Sequence, residues 1–169
     1  MNKSLSILES AIFDKLEKLC IKYENFRHES VLTIKDSKNL IDNIPVDLCK
    51  SLFLKDKKKN YWLLITAKEE SINLNQLAKD QKIPRLSFCK PTEMKEILKV
   101  EPGSVTPFAL IYESAKKVKV IFDKTLQNTK QISFHPLHNK ATTTIKTSDF
   151  FLFIDSQKIL YIVCELPTK

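Results

Sequence analysis

The chain contains a single glycine, Gly103, in the segment 101–108. Glycine usually makes up about 7% of a protein, so this chain has other residues at nearly all of its turns. We expect Gly103 where a side chain would not fit, because the backbone needs a positive φ or because the main chain approaches a ligand. Pro102 and Pro107 restrict the backbone on either side. The segment predicts a rigid turn with outward-facing amides, and an ordinary tight turn is the alternative.

The composition is that of an ordinary globular protein. Hydrophobic residues make up 43% and charged residues 28% of the 169 residues, close to globular averages. This length predicts a single domain over residues 1–169. No apolar run approaches the roughly 20 residues of a membrane span, and the first residues lack the sustained apolar stretch of a signal peptide. We therefore expect a cytoplasmic monomer that makes no contact with a membrane.

The cysteines and histidines do not form a metal-binding pattern. Four cysteines are dispersed along the chain: Cys20, Cys49, Cys89 and Cys164. Their apolar neighbours indicate reduced thiols in a core, without disulfides. Metal sites need ligands clustered at short spacing, and the pair His135 and His138 is interrupted by Pro136, which excludes a regular helix interior. The sequence predicts no metal and no cofactor.

The chain is strongly basic, with a net charge of +8 and a pI of about 9.2. Such an excess favours a polyanionic partner, in the first place a nucleic acid. The alternative is that the charge serves solubility only. Residues 55–60, Lys-Asp-Lys-Lys-Lys-Asn, separate two strand-like segments. They predict the tip of a β-hairpin, either solvated or in contact with phosphate.

Helical and strand-like segments alternate along the chain. The predicted helices are 5–20, 33–40 (capped by Thr33), 73–80 (capped by Asn73), a segment from Pro91, and 147–154 (capped by Thr147). The predicted strands are 23–27, 52–54, 61–65, 86–88, 109–112, 118–122, 130–134, 142–145 and 159–163. In the first helix, the pattern places Glu9 on the exposed face. The mixture predicts an α+β fold, or a mixed sheet that partly curls.

Motifs of common enzyme classes do not occur. There is no P-loop, GxGxxG, HExxH or nucleophile elbow, and a chain with one glycine excludes most of them. Carboxylate pairs such as Glu69 and Glu70 are expected at the surface. An enzyme with this sequence would depend on positioning, backbone donors and electrostatics.

Two polar features stand out against this background. Lys50 shares the face of a predicted strand with Leu52 and Leu54, where an ammonium is costly unless it reaches a partner. A phosphate or ribose would supply one, and a lysine that extends to water at the strand end is the alternative. His135 and Asn139 lie on a proline-stiffened turn. They can hold a sugar hydroxyl or a carbonyl, or form an ordinary surface turn.

Three segments together resemble the prolyl-tRNA editing-domain family, which includes the bacterial YbaK proteins and the insertion domain of prolyl-tRNA synthetase. They are Cys-Lys-Ser-Leu-Phe-Leu-Lys-Asp-Lys-Lys at 49–58, Gly-Ser-Val-Thr-Pro-Phe at 103–108 and Phe-His-Pro-Leu-His-Asn-Lys-Ala-Thr at 134–142. Arg-Leu-Ser-Phe at 85–88 and Tyr-Glu-Asn-Phe-Arg-His at 23–28 add to the match, which spans nearly the whole chain. The first and third segments are most similar to free-standing ProX-type proteins, which deacylate alanyl-tRNA(Pro).

The resemblance implies a fold and a set of site residues. The fold would be a mixed β-sheet partly closed into a barrel and flanked by helices. Lys50, Gly103 and His135 would form the active site, with Lys50 acting on the tRNA end and the glycine loop lining the aminoacyl pocket with backbone groups. The expected substrate contacts are Leu32, Thr33, Ser104, Val105, Thr106, Pro107 and Asn139.

The resemblance also implies an activity, the hydrolysis of mischarged Ala-tRNA(Pro). The tRNA(Pro) acceptor end would be the partner, and prolyl-tRNA synthetase is a second candidate partner. Two alternatives stay open at this point: the same reaction on another mischarged tRNA such as Cys-tRNA(Pro), and a non-catalytic tRNA-binding or regulatory module. Intact Lys50, Gly103 and His135 favour the enzyme, because an inactive relative has no need of all three.

Overall fold

The structure is a computed structural model that describes residues 3–29 and 47–169. The helices are α1 (Lys3–Lys18), α2 (Leu74–Asp80), α3 (Pro91–Glu93, continued by a π-helical turn over Met94–Leu98) and α4 (Thr147–Ser156). Short 3-10 helices cover Pro107–Ile111, Glu113–Ala115 and Lys124–Asn128. Of the described helices, none is long and apolar enough to cross a membrane. The predicted helix at 33–40 lies outside the described residues.

The described strands form two sheets. They are β1 (Tyr23–Arg27), β2 (Asp47–Leu48), β3 (Lys50–Lys55), β4 (Tyr61–Thr66), β5 (Ser87–Phe88), β6 (Lys119–Asp123), β7 (Gln131–Phe134), β8 (Ala141–Lys146) and β9 (Tyr161–Cys164). The first sheet has the order β1-β8-β7-β2 and the second the order β5-β3-β4-β6-β9. Both mix parallel and antiparallel pairs, since β2 runs parallel to β7, and β6 runs parallel to β4 and β9. The mixed α+β class is therefore confirmed.

The chain passes from the first sheet to the second at Cys49. On one side of this residue β2 pairs with β7, and on the other side β3 pairs with β4 and β5. Among the described strands no sheet closes on itself, so the partial barrel implied by the resemblance is not confirmed.

The second sheet is buried on both faces. Alternate residues of β4 enter two different hydrophobic clusters: Leu63 and Ile65 join the larger one, whereas Trp62 and Leu64 join the smaller one. Such two-sided burial explains why β4 reads as a continuous apolar run rather than as an alternation. In the larger cluster, side chains of this sheet pack with residues of α1, α4 and the first sheet.

Two local predictions were wrong. The segment predicted as a strand at 109–112 belongs largely to the 3-10 helix Pro107–Ile111, whose first four residues are all buried. Continuous burial removes the alternation that a half-exposed strand would show. Thr147 does not cap α4. It is the first helical residue, and its hydroxyl donates to the carbonyl of Thr129 at 2.7 Å.

Three helices end in the same way without glycine. After α1, α2 and α4 the chain places one residue at positive φ, namely Cys20 (56°), Lys82 (52°) and Lys158 (57°). An isoleucine follows each of them and donates its amide to a carbonyl five residues earlier: Ile21 to Leu16, Ile83 to Ala78 and Ile159 to Ile154, at 2.9, 3.0 and 3.4 Å. This is the Schellman arrangement, in which glycine is the usual residue. Cys20 is exposed at this position, so its prediction as a core cysteine was wrong.

Gly103 has a φ of 85°, outside the 52–68° range of the six non-glycine residues at positive φ in the described part of the chain. The amide of Ser104 donates to the carbonyl of Glu101 at 3.0 Å, which closes a turn with Pro102 and Gly103 at its centre. Proline followed by a residue at φ near 80° is the signature of a type II turn. The positive-φ explanation for the single glycine is therefore confirmed.

Replacing Gly103 by alanine is expected to lower the free energy of unfolding by about 1–2 kcal/mol, because a Cβ clashes at this φ. Denaturant unfolding measures the loss. Lys99→Ala is the control, because residue 99 is already a non-glycine residue in the left-handed region, at φ 57°, and we expect a change within about 0.5 kcal/mol. A Gly103→Ala protein as stable as the parent would contradict the conformational requirement.

Candidate active site

His135 lies directly after β7, and its ring is half-buried. Its Nδ1 is 2.9 Å from the carbonyl oxygen of Ala141. A carbonyl only accepts, so Nδ1 carries the proton and Nε2 is the free acceptor of the neutral ring. Burial lowers the pKa of His135, and this outweighs the opposing effect of the Ala141 hydrogen bond. The ring is therefore neutral at pH 7, and its Nε2 has no hydrogen-bond partner among the described residues.

Lys50 begins β3 and is half-buried. Its Nζ donates to the carbonyl oxygens of Glu69 and Glu70, both at 3.2 Å. The protein itself thus supplies the partner that the strand position requires, and the ammonium is held at a fixed place. Burial lowers the pKa of Lys50, against the effect of the carboxylates of Glu70 and Glu69. An ammonium has three donors, and the third is not used within the part of the chain that the structure describes.

The segment 103–107 leads from the exposed turn into the core. Ser104, Thr106 and Pro107 are buried, and Val105 is half-buried. The Thr106 hydroxyl accepts from the amide of Phe108 at 3.3 Å and starts the 3-10 helix. Within this segment, the amides of Gly103, Val105 and Thr106 have no hydrogen-bond partner among the described residues. That any of these amides faces outward stays a prediction, and Thr106 is fully buried.

Two contacts bring these segments to the end of β7. The amide of Cys49, next to Lys50, donates to the carbonyl of Ser133 at 3.3 Å, and Ser133 is two residues before His135. The ring of Phe108 packs edge-on against that of Phe134, with centroids 5.8 Å apart. The backbone just before β3 and the ring of Phe108 therefore both contact the last residues of β7, the strand that His135 follows. Asn139 is half-buried in the turn that follows.

An ion pair with a buried carboxylate connects this turn to α1. Glu9, on α1, is 2% exposed. Its carboxylate accepts two hydrogen bonds from the guanidinium of Arg27, through Nη1 at 2.8 Å and through Nη2. Its Oε1 also accepts from His138 Nε2 at 2.8 Å. His138 Nδ1 accepts from the amide of Lys140 at 3.1 Å, which fixes the tautomer and attaches the turn to α1.

The third histidine completes the group. His28 follows β1, and its Nδ1 donates to the carbonyl of Glu29 at 2.7 Å. Its Nε2 lies 2.8 Å from the hydroxyl oxygen of Thr142, which is the donor when the ring is neutral. The rings of His28 and His135 are 6.1 Å apart between centroids. All three histidines of the chain thus lie at the junction of β1, β7 and β8.

The buried thiols are poor candidates for nucleophiles. Cys49, Cys89 and Cys164 are buried. Burial raises the pKa of Cys89 to about 12 and also raises that of Cys164, so both are protonated at pH 7. Within the described residues, no group of three His, Cys, Asp or Glu side chains could hold a metal ion.

The three segments that carry the resemblance all lie within the stretch that a family model matches. The model for the aminoacyl-tRNA editing domain matches residues 28–153. This chain belongs to that family. The match contains Lys50, Gly103 and His135, but it leaves Glu9 and Arg27 outside, on the elements that support the turn.

Full-length relatives agree with this assignment. Prolyl-tRNA synthetase associated domain-containing protein 1 of Mus musculus is 35% identical over 154 residues, covering 88% of this editing domain and 90% of the mouse protein. Prolyl-tRNA editing protein ProX of Acetoanaerobium sticklandii is 31% identical over 143 residues, covering 83% and 87%. The crystal structure of hypothetical protein APE2540 covers 92% of this chain and 98% of its own, with a TM-score of 0.74 and 13% identity. At that identity the likeness concerns the fold alone.

Some predicted site residues of the editing domain receive no structural account. Leu32 and Thr33 lie outside the described residues. Conversely, sequence reasoning missed Glu9, Arg27 and His28. The prediction of Glu9 on the exposed face of α1 was wrong: its spacing from Ile12 and Leu16 also fits the inner face, and the partners that allow its burial are 18 and 129 residues away, beyond any local pattern.

Proposed function

We propose that this protein is a trans-editing aminoacyl-tRNA deacylase that hydrolyses mischarged Ala-tRNA(Pro) to alanine and tRNA(Pro). The observation that carries the proposal is the match of residues 28–153 to the aminoacyl-tRNA editing domain; it is supported by the contacts of Cys49 and Phe108, neighbours of the proposed site residues, with the end of β7, which His135 follows. The relative named prolyl-tRNA editing protein ProX supports tRNA(Pro) as the nucleic acid. The name of the mouse relative refers to a prolyl-tRNA synthetase associated domain, which supports the synthetase as a second partner.

The ester that joins an amino acid to ribose is activated enough for attack by water. The protein then needs to bind the tRNA end, orient the ester and stabilise the negative charge that develops on the carbonyl oxygen. In the proposed mechanism Lys50 holds the terminal adenosine phosphate or orients the ester. The two carbonyls that anchor its Nζ restrict the ammonium to one position and leave one donor for the substrate.

The amides of Gly103, Val105 and Thr106 are the proposed donors to the developing oxyanion. Backbone amides on a rigid turn need little reorganisation during the reaction, which is the condition for efficient electrostatic stabilisation. The type II turn and Pro107 supply that rigidity. The remaining amides nearby are already engaged in the turn and in the 3-10 helix.

His135 is proposed to position a ribose hydroxyl or the attacking water through Nε2. A neutral ring with a lowered pKa is a weak base at pH 7, so we assign it no proton transfer. The hydrogen bond from Nδ1 to Ala141 fixes the ring so that Nε2 keeps its acceptor role. Asn139, on the same turn, is a proposed further contact.

The proposed specificity is a sieve by size. A synthetase cannot easily exclude a smaller amino acid, because each missing methylene is worth only about 1–3 kcal/mol. A second pocket that admits alanine and excludes proline removes the error. Ser104, Val105, Thr106 and Pro107 are proposed as one wall of that pocket, and Leu32 and Thr33 as another.

The test is a deacylation panel at submicromolar protein with Ala-tRNA(Pro), Cys-tRNA(Pro) and Pro-tRNA(Pro). We expect hydrolysis of the alanyl ester and no hydrolysis of the prolyl ester above background. Preferential hydrolysis of Cys-tRNA(Pro) would change the amino acid but keep the reaction. Binding of tRNA without turnover of any ester would overturn the proposal in favour of a non-catalytic module.

A further inference from the structure

The tip of the β3–β4 hairpin, residues 56–60, presents three adjacent cations. Lys57, Lys58 and Lys59 are all exposed. The only acid of the tip, Asp56, is 3% exposed, and its carboxylate accepts from the amides of Lys58 and Asn60 at 2.8 and 2.9 Å and from the Asn60 side chain at 2.7 Å. Although burial alone would raise the pKa of Asp56, these hydrogen bonds lower it. The carboxylate thus shapes the turn and leaves the lysines facing solvent.

The neighbouring edge strand β5 adds to this basic surface. Ser87 pairs with Lys55 in antiparallel register, so the chain that enters β5, including Arg85, comes from the side of the hairpin tip. Arg85 and Lys90 are exposed. Glu93, on α3, is paired with Lys55 at 2.6 Å. In the described part of the chain, no carboxylate lies within 4 Å of the side-chain nitrogens of Arg85, Lys90 or the tip lysines.

An aromatic ring lies among these cations. Phe88 is 60% exposed, among the most exposed large hydrophobic side chains of the described residues. It pairs with Leu54 in β3 and therefore shares a face with Leu54, Leu52 and Lys50. Four residues separate Lys50 from Leu54, which corresponds to about 13 Å along the strand. The ring is thus about two nucleotides away from the lysine proposed to hold the esterified end.

We propose that Phe88, Arg85, Lys90 and the tip lysines form a docking surface for the unpaired 3′ end of an RNA, with a base stacked on Phe88 and phosphates on the cations. The inference deepens the proposed function, on which it rests for the position of the esterified nucleotide. Exposed aromatic rings flanked by cations without acidic partners are the recurring means of binding single-stranded nucleic acid. A stacked base covers the apolar ring, and the phosphates complement a charge that the protein itself leaves unpaired.

The test measures binding of RNA that carries no attached amino acid, so it does not depend on catalysis. The probes are two fluorescent RNA stem-loops with the same stem, one with a four-nucleotide unpaired 3′ end and one blunt. Phe88→Ala is expected to weaken binding of the first roughly 5- to 150-fold, the range of one base stacked on an aromatic ring, and to leave binding of the blunt probe unchanged. Phe88→Trp keeps a stacking surface and is expected to restore the affinity.

Two matched controls separate the surface from general effects. Leu160 is 70% exposed and precedes β9, at the opposite edge of the same sheet, about 19 Å away. Leu160→Ala should bind both probes like the parent. Replacing Lys57, Lys58 and Lys59 by glutamine should weaken both probes and lower the slope of log K against log salt by about 2–3. The same replacement at exposed Lys117, Lys146 and Lys158 should have a smaller effect on this slope.

The outcomes distinguish this inference from the proposed function. If the parent protein hydrolyses the alanyl ester but Phe88→Ala binds the overhang probe normally, the docking surface is wrong and the function stands. If the parent protein binds the overhang in a Phe88-dependent manner without hydrolysing any ester, the surface stands and the function falls. Equal affinity of the parent for both probes would overturn stacking of a 3′ base, and a protein partner would then be the better explanation of the exposed ring.

Discussion

Lys50→Ala is expected to lower the rate of Ala-tRNA(Pro) deacylation by about 100-fold or more, the usual effect of removing one preorganised electrostatic donor. The fold should stay intact, because the carbonyls of Glu69 and Glu70 that lose a partner belong to exposed residues and water can replace the ammonium. Single-turnover hydrolysis measures the rate, and circular dichroism with thermal unfolding reports on the fold.

Lys68→Ala is the matched control for this substitution. Lys68 also donates its Nζ to a backbone carbonyl, that of Leu166 at 2.7 Å, but it is not among the proposed site residues. We expect its deacylation rate to stay within about threefold of the parent. Normal hydrolysis by Lys50→Ala would remove Lys50 from the mechanism, and an equal loss in both variants would show that the effect is structural.

Arg27→Ala is expected to lower the free energy of unfolding by about 3 kcal/mol, because it leaves the carboxylate of Glu9 buried without its cation. The cost arises mainly from the carboxylate of Glu9, whose side chain is 3% exposed. The side chain of Arg27 is 46% exposed, so its own removal from the fold costs little. His138 remains as the only described hydrogen-bond donor to the carboxylate. Chemical denaturation measures the loss.

The double variant tests the cause of this effect. Adding Glu9→Gln to Arg27→Ala removes the buried charge, so the double variant should be more stable than Arg27→Ala alone. Lys124→Ala is the control for an ordinary surface pair, because Lys124 and Glu165 are 61% and 81% exposed, and its effect should stay within about 0.5 kcal/mol. A double variant less stable than Arg27→Ala would contradict the buried-charge explanation.

Sequence patterns predicted the elements whose cause is local. The caps of α2 and α3 were predictable because Asn73 accepts from the amide of Gln76 and Glu93 accepts from that of Lys90, each within three residues. The glycine turn was predictable because a type II turn has a fixed residue requirement. The hairpin tip was predictable from the charged interruption between two apolar runs.

The rest of the site depends on contacts that are distant in sequence. Nothing local to Lys50 indicates that the carbonyls of residues 69 and 70 receive its ammonium. Likewise, the burial of Glu9 depends on Arg27 and His138, which approach it from β1 and from the turn after β7. The 3-10 helix Pro107–Ile111 was misread because packing on all sides erased its period. Tertiary contacts decide these features, so a single sequence does not contain a local signal for them.

The helix ends without glycine explain part of the basic composition of the chain. Lys82 and Lys158 follow α2 and α4, and Lys99 follows the turn that continues α3, all at positive φ. A cation at such a place is favoured by the partial negative charge of the last carbonyls, which offsets part of the backbone strain. Some of the excess of +8 therefore has an architectural origin. Two homologues with the same overall charge can then differ in their affinity for RNA, because a lysine retained for a helix end need not lie where a phosphate binds.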